Sequence, residues 1–280
     1  MSRFHTMGIR PAVAVVIPHL NRIADTAHCC RSLANQTHAV ESILVVDNGS
    51  TAHSPQDLAV ACPNATTIRL ETNRGFAAAV NIGLRHAMAN PKVTHCWILN
   101  NDTFCPPPTL SHLLAAVEST TDTAVAGCAM MEGHTTHQST IVPPGKNLLR
   151  PWMIPVPAKH NTVPDYLSGA CLLLKRKAIE EIGLFDEDFF FFFEDIDYSL
   201  RIKQAGWQLS VAPEGLIEHR GSATIRHHSQ LQARTYRAGH IRLLKKYTRH
   251  PLLLGLPPLI ARVLLDAITL NGGAMCGHLI

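Results

Sequence analysis

Apolar residues fall in short unbroken runs along the first half of the chain, separated by segments of helical character. Val13-Ala14-Val15-Val16-Ile17, Ile43-Leu44-Val45-Val46 and Cys96-Trp97-Ile98-Leu99 contain no polar residue, which marks strands covered on both faces. Thr67–Leu70 and Val125–Met130 read as further strands, and Ala24–Asn35, Phe76–Ala89 and Thr109–Ser119 as the helices between them. Such alternation predicts an α/β fold with a mostly parallel central sheet and helices on both faces. Downstream, Tyr166–Leu174 reads as a strand and Arg176–Ile182 as a helix stopped by Gly183. Asp195–Ala205 reads as a helix closed by Gly206, and Trp207–Val211 as a last strand. Glu132–Pro164, rich in Pro, His and Thr, has weak periodicity and is expected to be a long loop or insertion over the site.

In open α/β sheets ligands bind outside the carboxyl ends of the strands. Pro18, Asp47 and Asp102 all fall at such ends. A run of five phenylalanines, Phe189 to Phe193, leads directly into Glu194-Asp195, so these two carboxylates are expected to be partly desolvated. The glycine-rich loops that cradle phosphates and the G-x-S-x-G elbow of hydrolases are absent from the sequence. The chemistry therefore falls to carboxylates.

Composition narrows the class further. At 280 residues and 46% hydrophobic, the chain is long and apolar enough to bury a core, which excludes disorder. Its eight cysteines form no C-x-x-C pair, so they are expected to be reduced core thiols of a cytosolic protein. No apolar leader stretch precedes Pro11. Charge is unevenly spread: from Arg220 onward there are nine Lys/Arg against one acid, Asp266, whereas the preceding residues carry 16 basic and 20 acidic side chains.

Read in order, the motifs Val15-Val16-Ile17-Pro18-His19-Leu20-Asn21, Val45-Val46-Asp47-Asn48-Gly49-Ser50, Asn73-Arg74-Gly75-Phe76 through Asn81, and Leu99-Asn100-Asn101-Asp102-Thr103 form a set. Leu167-Ser168-Gly169-Ala170, Gly183-Leu184-Phe185-Asp186-Glu187, Phe193-Glu194-Asp195-Ile196-Asp197 and Ala205-Gly206-Trp207 continue it. Together they resemble the family 2 glycosyltransferases of GT-A fold, closest to the rhamnosyltransferase-like branch, over roughly Val13 to Ser222.

That resemblance implies a nucleotide-sugar donor and a division of labour. Asp47 would bind the nucleoside, with Pro18 and Asn101 beside it; an Asx-turn with Asn48-Gly49 is the plain structural alternative for Asp47. Arg74 and Asn81 would lie near the nucleotide, where a helix N-terminus suits an anion. Asn100-Asn101-Asp102 stands in the place of the family's D-x-D element, with Asn for its first acid, leaving Asp102 to hold Mg²⁺ or Mn²⁺ with donor phosphates. His219 matches a further metal ligand, and Asp195, with Glu194 as second candidate, the base of an inverting transfer. Asp197 is expected to be structural. The family often has an aromatic residue at the position of Leu20, so the base is left open. The resemblance implies transfer of a sugar, such as rhamnose from a dTDP donor, to a lipid-linked or other cell-envelope glycan.

The basic tail reads separately, giving a GT-A domain over 1–222 and a helical extension over 223–280. Arg226 to His250 holds seven Lys/Arg and no acid, and Pro251 to Leu270 is apolar but broken by three prolines and two charges. These features predict peripheral docking on an anionic membrane surface, the inner face of the cytoplasmic membrane, rather than a span; a basic face with a helix packed on the core is the alternative. Other readings of the whole chain are a UDP- or GDP-sugar donor, a nucleotidyltransferase, or a nucleic-acid-binding protein. A nucleotidyltransferase calls for a basic, glycine-rich triphosphate loop, and Ile17–Asn21 is not one. Nucleic-acid binding calls for aromatic platforms, and only Tyr236 and Tyr247 accompany the tail's charges, so no nucleic-acid partner is expected.

Overall fold

The computed structural model describes residues 10–132, 135–138, 164, 166–220 and 229–268. Nine strands, β1 (Val13–His19), β2 (Ser42–Asp47), β3 (Thr66–Arg69), β4 (His95–Leu99), β5 (Thr103–Phe104), β6 (Thr123–Glu132), β7 (Thr135–Gln138), β8 (Cys171–Lys175) and β9 (Gln208–His219), form one sheet among the described residues. The order is β3-β2-β1-β4-β8-β6-β9-β5, with β7 on β6. Pairing is parallel from β3 to β4 and again between β6 and β9, and antiparallel around β8. The helices are α1 (Ile23–Leu33), α2 (Pro55–Ala61), α3 (Phe76–Met88), α4 (Thr109–Val117), α5 (Arg176–Ile182), α6 (Glu194–Gln204), α7 (Ser229–Tyr247) and α8 (Pro251–Ile268).

Strand alternation divides the core into two layers. Val13, Val15, Ile17, Trp97, Leu99 and Leu173 pack with α1 and α4 on one face, while Ala14, Val16, Cys96, Ile98, Leu172 and Leu174 pack with α3, α5 and α6 on the other. Because both faces are covered, neither can carry polar residues, and the runs read as continuous. All seven described cysteines are buried free thiols, as expected of core residues; burial pushes Cys29 and Cys96 up to about 12. Cys276 lies outside the described residues.

Several elements depart from the sequence reading. The strand expected from Tyr166 begins only at Cys171, because Ser168-Gly169 turns to meet α6. β9 runs on past Val211: Pro213-Glu214-Gly215 bulges out between Ala212 and Leu216, which pair with the successive residues Cys128 and Ala129. A proline lacks the donor a ladder needs, and a bulge accommodates it. β7 occupies part of the segment expected to be loop, and positions 139–163 of that segment lie outside the described residues. Helix α2, not anticipated, is set by a capping box in which Ser54 and Asp57 bond reciprocally, with Pro55 at the first helical position.

The first helix of the tail belongs to the body. Leu243 packs with Phe189 and Phe193, and Phe192, Ile196, Leu200, Tyr236 and Tyr247 close around them. Leu243 and Leu244 are fully buried, each such side chain contributing about 1.5–3 kcal/mol. Lys246 bridges Asp197, at 2.6 Å, and Asp186, at 2.9 Å. Arg237 donates to the Gly255 carbonyl at 2.7 Å and so ties α7 to α8.

One glycine fixes how the halves meet. Gly75 has φ +89°, and a Cβ there would collide with the Phe190 backbone, its Cα only 2.9 Å away. We therefore expect Gly75→Ala to destabilise the protein by about 2–4 kcal/mol in urea unfolding. A loss below about 0.5 kcal/mol, the scale of an ordinary surface substitution, would show that the close approach is not required.

Candidate active site

A cleft of about 360 Å³ opens at the carboxyl ends of β1, β2 and β4. Pro18, Leu20 and Asn21 line one side, Asn100, Asn101 and Asp102 the floor, and Phe76, Phe190 and Phe191 the opposite wall. Leu231 and Thr235 of α7 complete it. The walls are held by local hydrogen bonds. Asn21, at φ +59°, donates its N–H to Ser50 Oγ and accepts from the Thr51 and Ala52 N–H groups. Asn48 accepts from the Arg74 N–H and donates to Asn73 Oδ1 and the Gly75 carbonyl. The Phe76 N–H donates to the Phe190 carbonyl at 2.8 Å.

The short strand β5 brings the expected metal ligands together. Thr103 pairs with His219, which sets His219 Nε2 3.2 Å from Asp102 Oδ1, while its Nδ1 lies 2.8 Å from Glu132 Oε1. Burial raises the Asp102 carboxyl, but hydrogen bonding and charge from His219 outweigh it and hold the group below the usual carboxylate range. Burial likewise lowers His219, and Asp102 and Glu132 together overcome it, leaving the imidazole above its ordinary value. A buried carboxylate that lines the cleft, with a buried imidazole against it, is a hard-to-borderline donor set, which fits Mn²⁺ or Mg²⁺. Glu132 is a second carboxylate at this site that sequence reasoning missed, its only signal being its position at the end of β6.

Glu194 and Asp195 open α6 immediately behind the phenylalanine wall. Phe192 and Phe193 both adopt left-handed conformations, φ +71°, and this turn drives the acids inward. Asp195 accepts the Gly169 N–H at 3.0 Å and the Ile196 N–H at 2.8 Å. Gly169 in turn sits against the Phe76 ring. One Glu194 oxygen, Oε2, is buried without a partner. Burial raises both carboxyls, and the charge of Asp195 adds to the effect on Glu194. The pair adjoins the cleft wall rather than lining it. Asp197 bonds Arg201, Lys246 and Tyr247, a structural use as expected.

Three residues expected at the donor stand elsewhere. The Asn81 amide is buried and spent on both backbone groups of Phe185 and on Glu187, so it fastens the loop after α5 and has no free donor for a ligand. Arg74 pairs with Glu187 at 3.4 Å on the surface. Asp47 lies behind the lining, accepting the Ser50 N–H at 3.0 Å and Arg69 Nη1 at 2.8 Å, the turn that was its structural alternative. Pro18 and Asn101 do line the cleft.

A mixed sheet with a cleft at its strand ends, a carboxylate–imidazole pair and an acidic pair of buried Glu194 and half-buried Asp195 defines a GT-A-type transferase. Residues 14–183 match the model of Glycosyl transferase family 2 and residues 153–275 that of Glycosyl transferase family group 2. The chain belongs to glycosyltransferase family 2. It is 25% identical over 272 residues to an N-acetylglucosaminyl-diphospho-decaprenol L-rhamnosyltransferase of Mycobacterium tuberculosis, covering 86% of this chain and 85% of that protein. It is 24% identical over 180 residues to the low-salt glycan biosynthesis hexosyltransferase Agl10 of Haloferax volcanii, covering 62% of this chain and 57% of that protein. Among solved structures, a mannosyltransferase from Pyrobaculum calidifontis in complex with GDP-Man and Mn²⁺ superposes with TM-score 0.61 at 18% identity, covering 96% of this chain and 74% of that one. GalNAc-T7 with UDP, GalNAc and Mn²⁺ gives TM-score 0.59 at 15% identity, covering 84% and 48%. The fold is GT-A and the protein is a glycosyltransferase.

The Asp102–His219 pair gives a pH prediction. A raised imidazole stabilises the fold fully below its unfolded value of 6.5, and that contribution is lost as pH rises through the folded value. In metal-free buffer the unfolding free energy should therefore fall as pH rises above 6.5, and His219→Gln should flatten that slope. Equal slopes in both proteins would assign the dependence to other groups.

Proposed function

We propose that this glycosyltransferase moves a deoxyhexose such as rhamnose from a dTDP-sugar to a lipid-linked glycan acceptor, with inversion and with a divalent cation held by Asp102 and His219. The observation that carries the mechanism is the contrast between two buried carboxylate sites. At Asp102, His219 keeps the carboxyl ionised, as a cation ligand must be. A divalent cation bound there supplies charge neutralisation of the leaving diphosphate. Pro18 and Asn101, with Asp47 behind them, form the nucleoside end of the cleft.

At the acidic pair burial dominates. Burial raises both carboxyls, with the charge of Asp195 adding to the effect on Glu194, while the N–H groups on Asp195 favour its ionised form. Asp195 is therefore the base that takes the acceptor hydroxyl proton as the anomeric carbon is attacked, and the dry surroundings increase its basicity. The rhamnosyl donor and lipid acceptor rest on the Mycobacterium tuberculosis relative, and the divalent cation also on the Mn²⁺-containing structures.

The acceptor side suits a surface-bound substrate. Leu253, Leu256, Ile260, Leu264 and Ile268 are exposed on α8 at spacings of three and four residues, one continuous stripe of that helix. No described helix is long and apolar enough to cross a membrane. The stripe, with Arg234 and Lys245 exposed on α7, supports peripheral docking on an anionic cytoplasmic leaflet.

Two measurements test this reading. Asp102→Ala should weaken metal-dependent donor binding and transfer together, whereas Asp195→Asn should keep donor affinity within a few-fold and slow transfer by roughly 10²–10⁴-fold, read by calorimetry and transfer assays. Near-normal transfer by Asp195→Asn with loss in Glu194→Gln would move the base to Glu194. Separately, Leu256→Glu/Ile260→Glu should abolish cosedimentation with anionic vesicles; retained binding would sink the docking model.

A further inference from the structure

Hydrogen-bond accounting at the mouth of β1 and β2 leaves one pair of atoms unexplained. His19 ends β1, His53 precedes the cap of α2, and their Nε2 atoms face each other at 2.8 Å. Both rings are engaged at Nδ1. His53 Nδ1 lies 3.0 Å from the Ser54 carbonyl oxygen, which only accepts, so that nitrogen carries the hydrogen. His19 Nδ1 lies 2.6 Å from Thr26 Oγ1. The Thr26 hydroxyl donates to the Arg22 carbonyl at 3.2 Å and accepts from Asn101 Nδ2 at 3.0 Å, so the hydrogen of the third contact comes from His19. Each neutral ring then presents a lone pair at Nε2, and the two lone pairs oppose one another. A cation between them resolves the conflict.

A proton is poorly suited to the task. It can join only the two facing Nε2 atoms. A metal ion instead finds a third ligand: a carboxylate oxygen of Asp47 and one nitrogen of each ring lie within 4.8 Å of one another. Each Asp47 oxygen accepts one hydrogen bond and keeps a lone pair. Outer partners on both Nδ1 atoms are what metal-bound histidines require to fix their tautomer and orientation.

We propose that His19, His53 and Asp47 form a second divalent-metal site, selective for Zn²⁺, separate from the Asp102–His219 pair. Two imidazoles and one carboxylate, with water as fourth ligand, are a zinc donor set that Mg²⁺ does not favour. The rings must part by several tenths of an ångström to admit Zn–N bonds of about 2.0–2.1 Å, and the partly exposed His53 is the ring that gives. Arg69 on Asp47 opposes a cation and moderates the affinity. Binding would tie the 50–54 loop to the end of β1, beside Leu20 and Asn21 of the cleft, so zinc would act on donor access without taking part in transfer.

The full-length chain carrying Asp102→Ala and His219→Gln, which remove both proposed ligands of the other site, is titrated with Zn²⁺ in excess Mg²⁺. We expect one Zn²⁺ per chain, an affinity at least about tenfold weaker once His53→Ala or the bulkier His53→Gln is added, and a tetrahedral Co²⁺ spectrum lost with the same changes. Unfolding midpoints without metal establish that the His53 variants fold. No zinc uptake by Asp102→Ala/His219→Gln, or uptake indifferent to both His53 variants as binding through the thiols would be, overturns the proposal. Metal content is the readout, so the outcome is independent of the proposed sugar transfer.

Discussion

The active-site half of the molecule hangs on the contact between Gly75 and Phe190. Here two backbones approach more closely than any side chain permits, and the Phe76 N–H donates to the Phe190 carbonyl. The contact joins the start of α3, which belongs to the nucleotide side of the sheet, to the phenylalanine loop, which precedes the acidic pair. Asn48 carries the same linkage back to β2 through Asn73 and Gly75. The cleft is thus bounded by segments whose mutual positions are set by backbone hydrogen bonds, which leaves its exposed side chains free to serve a ligand.

Burial does opposite work at the two carboxylate sites. At Asp102 the desolvation penalty meets an imidazole at hydrogen-bond distance, and the ionised form wins. At Glu194 and Asp195 it meets a second acid, and burial raises both carboxyls. Pushing titratable groups apart in this way assigns different roles to chemically identical side chains. The sheet topology makes the difference at the first site: β9 returns alongside β5 to deliver His219 to it.

Much of this was legible in the sequence, and the misses have physical causes. The doubly buried strands announced themselves because covered faces exclude polar residues, and Asp102, Glu194 and Asp195 stood at strand or helix ends where such runs stop. Asn81 misled because a polar residue within an apolar helix has the same sequence signature whether it binds a ligand or a backbone; here it holds Phe185. Pro213 ended the expected strand early, since a bulge that hides a proline leaves no periodic trace. The His19–His53 approach joins residues 34 apart and depends on the turn at Asn21, which no local pattern reveals.

Along α7 the tail takes the alternative reading given for it, a basic helix packed on the core. Its cations suggested a separate extension beginning near residue 223, yet Lys246 and Arg242 of α7 neutralise Asp186, Asp188 and Asp197 in the body. Some of the acidic excess upstream and the basic excess downstream belongs to the same ion pairs, cut in two by reading the chain linearly. α7 also supplies Leu231 and Thr235 to the cleft and Tyr236 to the phenylalanine loop. A helix that packs on the loop before the acidic pair and carries the exposed apolar stripe of α8 next to it couples two requirements. If α8 docks on a surface as proposed, α7 is the element that links that surface to the loop before the carboxylates.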